Sequence, residues 1–190
     1  MKKITLIAAF VLGSMALFAQ TAWKNDKAHS HLKFTITHLA VSDVDGLFKD
    51  FDATIVSAKP DFSDAKFTLT AKVASINTEN SMRDNHLQSA EFFDAANNPN
   101  ITFVSTGLKK VAAGKYKLMG NLTMHGITKP VTFDLWYRGT ITNPMSKSDD
   151  AGFKISGTVK RSDFKLGDKY PNAVISDEVV IAADGEFAKS

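Results

Sequence analysis

The chain has 190 residues, 23 basic and 20 acidic side chains, and no cysteine. The missing cysteines exclude a disulfide framework, thiol catalysis and Cys-based zinc sites. Nearly balanced charge without a long basic run leaves no electrostatic footprint for nucleic acid.

In chain order, residues 1–19 read as a cleavable signal peptide. Lys2 and Lys3 precede an apolar run over 4–18 that is too short to span a bilayer, and cleavage is expected after Ala19. Removing the two lysines lowers the formal charge from +3 to +1. What remains, residues 20–190, is one domain large enough for a substantial core.

An opening strand is expected over 23–27. Leu32, Phe34 and Ile36 then alternate with Lys33, Thr35 and Thr37, the period of a half-buried strand. Residues 39–45 break the alternation, and a third, irregular strand is read over 48–58. Phe67, Leu69, Ala71 and Val73 form one face of a fourth. A long polar loop over 75–103 follows, with two turns of helix expected between Asn80 and Gln88, capped by Asn80 or Ser81. Beyond it come a short strand over 101–106 and an apparent hairpin of 116–124 with 131–137, joined through His125-Gly126. Strands over 153–159 and 178–187 close the chain.

Eight or nine mostly antiparallel strands without a long amphipathic helix mean a sandwich or a barrel. One-sided strands favour the barrel, since one sheet rolled around one interior accounts for them all. Ala71, Gly120 and Gly157 among large inward residues are expected to leave space inside. An eight-stranded barrel either fills its interior or holds one small ligand.

Chemistry is sparse. No nucleophile elbow, phosphate-binding glycine loop or dinucleotide fingerprint is present. His29 and His31, two apart, would share one face of a strand, a usable metal spacing, with His38, His86 or His125 as a third ligand. The plainer reading makes these histidines hydrogen-bond partners of loop backbone. Arg83 and Asp84 either meet a polar head group together with His86 and Asn77, or tie the loop to the barrel rim. Phe92, Phe93 and Phe103 are core aromatics that can also touch a ligand. A long apolar chain would gain about 0.8 kcal/mol per buried methylene.

Trp23, Asp26-Lys27-Ala28-His29-Ser30, Ser75-Ile76-Asn77-Thr78, Arg83-Asp84-Asn85-His86-Leu87 and Phe92-Phe93-Asp94 resemble, in order and spacing, the YceI-like family of exported lipid- or polyisoprenoid-binding proteins. So do Pro99-Asn100-Ile101-Thr102-Phe103, the run from Gly120 to Val131 and Arg161-Ser162-Asp163-Phe164. The resemblance covers essentially the whole mature chain. It implies an all-β, lipocalin-like, eight-stranded antiparallel barrel with a short helix in the loop after the fourth strand. It also implies an apolar tunnel for one isoprenoid or acyl chain, periplasmic location and no catalytic activity. Two departures bear on the shape of one barrel end: Lys165 stands where the family often has glycine, and the last strand carries Ala183-Asp184-Gly185-Glu186 instead of alternating large hydrophobics.

The expected ligand is therefore a polyisoprenoid-type lipid, such as a quinone or prenyl phosphate. Phe34, Leu69, Val73, Leu118, Leu122, Phe133 and Ile155 are the wall candidates. Asn77, Arg83, Asp84 and His86 are the mouth candidates, with Phe92 and Phe93 at the entrance. No catalytic residue, metal ligand or cofactor is assigned, and an exposed edge strand would favour a homodimer. The alternatives are a His-based metal enzyme and a filled barrel serving as an envelope interaction module.

Overall fold

The computed structural model describes residues 20–190, so the expected signal peptide lies outside the described residues. Eleven strand segments form one antiparallel sheet: β1 Thr21–Asn25, β2 His31–His38, β3 Ser42–Phe48, β4 Phe51–Ser57, β5 Lys66–Lys72, β6 Ile76–Asn77, β7 Asn100–Ala112, β8 Lys115–Met124, β9 Ile127–Thr142, β10 Asp149–Lys160 and β11 Glu178–Lys189. Among the described residues one α-helix, α1 Ser81–Gln88, lies between β6 and β7.

Register shows that six of the segments are halves of three longer strands. β1 pairs with β4 and β2 with β3, while β11 pairs with β2 through Val180–Asp184 and with β1 through Phe187–Lys189. β4 and β3 likewise pair with β5 and β6. The result is a closed eight-stranded up-and-down barrel, as expected from one-sided strands. Closure removes the free edges that a sandwich would carry. The first two predicted strands are one interrupted strand, so the helix follows the third long strand, not the fourth.

The three interruptions are stitched together. Asp26 N donates to Glu186 O, Ala53 N to Asn25 Oδ1, Lys49 N to Ser75 O and Lys72 N to Asp50 O. Backbone groups at the breaks thereby keep their partners. The expectation of irregular chain over 39–45 is corrected from Ser42 onward, where Val44 pairs with Ile36 and Gly46 with Phe34. Alternation was hard to see there because the inward position is a glycine. The short strand expected over 101–106 extends to Ala112 past two register shifts.

Turn chemistry follows the strand twist. His125 (φ 51°) and Gly126 (φ 70°) both take positive φ between β8 and β9, the two-residue hairpin geometry that matches twisted strands. Asn80 caps α1 by accepting from Arg83 N at 3.0 Å, as expected. Lys165, at φ 55°, occupies the left-handed region, which explains why glycine suits that position. β11 continues through Gly185 and Phe187 to Lys189, so its alternation persists with small inward residues.

Candidate functional site

The barrel encloses an apolar-walled cavity of about 490 Å³, within the range that holds a small ligand. Of the wall candidates, Phe34, Leu69, Leu118, Leu122, Phe133 and Ile155 line it, and so does Phe103. Arg83, His86, Phe92 and Phe93 also line it, at the end carrying α1. Three candidates do not. Val73 is buried in a 3-10 turn (Val73–Ser75) that interrupts a strand, outside the lumen. Asn77 alternates with the inward Ile76 and is half-buried. Asp84 is turned to Thr78 and away from the lumen, accepting from Thr78 N at 2.8 Å and Thr78 Oγ1 at 2.6 Å.

Glycines shape the bore in a way opposite to the expectation. Gly120 and Gly157 leave no void, because neighbouring phenyl rings occupy the space a side chain would take. A Cβ on Gly120 would lie 2.3 Å from the Phe103 ring, one on Gly157 2.6 Å from Phe133, and one on Gly46 2.1 Å from Phe34. Each ring therefore lies over a bare glycine of the adjoining strand. The open lumen comes from rings laid back onto glycines.

The end away from α1 is packed solid. Chain 58–65, between β4 and β5, folds into the barrel and inserts Phe62, which is 2% exposed. Its ring meets Tyr137 at 4.9 Å, Phe153 at 5.0 Å and Trp23 at 5.3 Å between centroids, residues on β9, β10 and β1. The Tyr116 hydroxyl, on β8, donates to Asp61 O at 2.6 Å, and burial pushes that phenol up. Asp61 also pairs with Lys110 at 3.2 Å. Hydrogen bonds from Ser63, with help from Lys110, lower the Asp61 carboxyl to about 2.

At the α1 end the wall turns polar. The Arg83 Nε donates to Thr78 Oγ1 and its Nη2 to Thr78 O, both at 2.8 Å, leaving Nη1 without a partner among the described residues. Arg161, 5% exposed, follows β10 and gathers the chain over 165–176. It donates to the carbonyls of Leu166, Gly167, Tyr170, Ile175 and Ser176 and to Asn172 Oδ1, at 2.6–3.2 Å. Neither arginine forms an ion pair among the described residues; only Arg138 does so, with Asp184. Burial pushes Asp177 up, but hydrogen bonds from Ser162 and the Arg161 charge outweigh it and hold the carboxyl low. The sequence reading missed Arg161 as a lining residue. Its one legible signal is a cation placed directly after an alternating strand.

Stacking fixes the loops of the rim. Phe92 stacks on Tyr170 at 5.5 Å and meets His86 edge-on at 5.0 Å, and its ring fills the space above Gly167. His86 Nε2 lies 2.7 Å from Glu91 Oε2, and Lys169 3.3 Å from the other Glu91 oxygen. Those two partners, His86 first, hold the Glu91 carboxyl below its usual range. Phe93 packs edge-on against Phe48 of β3 at 5.8 Å, anchoring the loop to the barrel.

The histidines do not converge. His29 lies before β2 and bonds Asp26 at 2.9 Å, His125 Nδ1 meets Phe164 O at 3.0 Å, and His86 serves Glu91. Among the described residues the one group with metal-compatible spacing is Asp26, His29 and Glu186, on the outer surface. The pairing of His29 with His31 expected from spacing is absent from it.

Comparison with known proteins gives a consistent picture. The YceI-like domain family model matches residues 23–187. A UPF0312 protein of Staphylococcus aureus (strain USA300) is 39% identical over 165 residues, 87% of this chain and 92% of the relative. The YCEI protein of Campylobacter jejuni is 35% identical with a TM-score of 0.74, over 82% of this chain and 90% of that one. Burkholderia cenocepacia BcnA superposes with a TM-score of 0.74 at 25% identity, over 85% and 98%. A polyisoprenoid binding domain from Saccharophagus degradans shares the fold at 15% identity, with a TM-score of 0.69 over 89% and 98%.

Proposed function

We propose that this chain, which belongs to the YceI-like family, is a binding protein that holds one polyisoprenoid-type lipid, a quinone or prenyl phosphate, inside its barrel. The observation that carries the reading is the 490 Å³ lumen, whose wall is predominantly apolar and which carries Arg83, His86 and Arg161 at the α1 end. An apolar chain buried there gains about 0.8 kcal/mol per methylene without covalent chemistry. The name of the Saccharophagus degradans neighbour supports the same class of ligand at the level of the fold.

The head group lies at the α1 end, where Arg83 Nη1 is unengaged and Arg161 adds positive potential. The leader exports the protein to the periplasm, where it carries an otherwise insoluble lipid. Binding, not turnover, is its task.

Organic extraction of the purified protein followed by mass spectrometry tests the reading. One long-chain amphiphile in near-stoichiometric amount is expected. Absence of any amphiphile, with no thermal shift from quinones, prenyl phosphates or fatty amides, would sink it. Arg83→Ala separates head-group contact from rim bracing. A head-group role lowers affinity at an unchanged melting temperature, whereas a brace lowers the melting temperature alone.

A further inference from the structure

The lumen does not run through the barrel. Its lining at that end is Phe67, Leu118, Phe153 and Phe187, and beyond Phe153 stands the Phe62 ring, which does not line it. The strand order β1-β4-β5-β7-β8-β9-β10-β11 puts β8 diametrically opposite β1. Phe62 touches Trp23 of β1, while the carbonyl next to it is held by Tyr116 of β8. A loop that enters between β4 and β5 therefore reaches across the full bore. Phe62 does so at φ 56°, in the left-handed region that a bulky side chain rarely adopts. Backbone strain at a fully buried ring, held by bonds on both sides, marks a position where the ring's placement matters.

We infer that Phe62 is a specificity-determining residue: it plugs the closed end, backs the Phe153 floor and sets the longest chain the barrel accepts. This rests on the proposed lipid-binding function and adds to it a ruler. Phe153 is 2% exposed and is held between Phe62 and Phe67, at 5.0 and 5.6 Å. Without Phe62, Phe153 swings into the vacated space and the chain terminus follows. The hole left by a phenyl ring takes about one isoprene unit, as benzene-sized voids in protein cores take benzene.

Two variants test this. Phe62→Gly removes the ring and also relieves the left-handed backbone, which offsets part of the lost packing. Phe62→Leu keeps an apolar side chain and shortens the plug less. A series of all-trans prenols, lengthened one isoprene unit at a time, is titrated against wild type and both variants by displacement of a fluorescent apolar probe. Near-ultraviolet circular dichroism checks that each variant is folded.

Wild-type affinity rises with length and then stops rising at a limit. In Phe62→Gly the limit moves up by one unit, and the first prenol beyond the wild-type limit gains at least about tenfold, since each buried methylene contributes a factor of about four. Phe62→Leu shows a smaller gain at the same prenol. An unchanged limit in the folded variants overturns the ruler while leaving lipid binding intact. If Phe62→Gly fails to fold, an unchanged limit in Phe62→Leu overturns it equally. A wild type that binds no prenol of any length overturns the underlying reading together with the ruler.

Discussion

At one end of the barrel Phe62 is enclosed by Trp23, Tyr137 and Phe153; at the other Arg161 is enclosed by the carbonyls of its own connecting loop. Both side chains are buried and both fix a loop across a barrel mouth. The first does so with dispersion and shape, which leave no room for anything else. The second does so with directional bonds to backbone, which define a wall and leave the lumen open beside it. Aromatic filling closes an end, whereas a hydrogen-bonding hub shapes one that stays accessible. The apolar floor and the arginine-bearing end of the cavity follow from this difference.

The largest expected effect comes from removing the hub. Arg161→Met strands several buried carbonyls at once, each costing about 1–3 kcal/mol unsatisfied. Destabilisation of at least about 3 kcal/mol in urea unfolding is expected, with ligand lost as well. A cost near zero would mean that the loop over 165–176 is held by other contacts.

The next largest effect falls between the two ends. Gly120→Ala puts a methyl 2.3 Å from the Phe103 ring and 2.7 Å from Val104 O, driving the ring toward the axis. A loss of about 1–3 kcal/mol is expected from overpacking, together with lower lipid capacity. Gly152→Ala is the control, since its Cβ would meet only Arg138 at an ordinary 3.5 Å. Equal behaviour of the two variants would refute the claim that glycines set the bore.

A smaller change of opposite sign is expected at the open end. Lys165→Gly relieves the left-handed backbone at φ 55° and stabilises by about 0.5–1 kcal/mol, the strain removed exceeding the added chain entropy. A raised melting temperature at unchanged ligand content checks it.

Acid provides the mildest perturbation. The folded Asp61 value of about 2 lies below the usual 3.8, so its contribution is complete above about pH 4 and is lost as pH falls toward 2. Its carboxyl is at the surface, so global stability barely moves. The protection factor of the Ser63 amide, its rate relative to an unstructured amide at the same pH, falls instead, because the Lys110 and Ser63 contacts of the plug loop are released. A Ser63 protection factor that is flat from pH 5 to pH 2 would show that Tyr116 and Phe62 hold the loop unaided.

Strands with unbroken alternation were legible in the sequence. Tyr116, Leu118, Leu122 and Met124 point inward from β8 as expected, and the Asn80 cap and α1 lie where turn chemistry put them. β3 was obscured because Gly46 occupies an inward position whose volume is supplied by Phe34 from the neighbouring strand. Val73 continued the alternating pattern of β5, but the chain turns 3-10 there and takes its side chain out of the lumen. Arg161 acts on backbone carbonyls up to 15 residues away, and carbonyls carry no side-chain signature. Phe62 was a lone aromatic in a Pro-Asp-Phe-Ser-Asp turn, and nothing local says that such a loop folds inward.

The central claim is that an apolar chain enters at the α1 end and stops at the Phe153 floor. Photo-crosslinking tests it most directly, using a prenol with a diazirine at the terminus remote from its hydroxyl and mapping the labelled peptides by mass spectrometry. The account predicts label on β8 and β10, at Leu118 and Phe153. Label confined to α1, to the loop around Tyr170 or to the outer face of the sheet would contradict it.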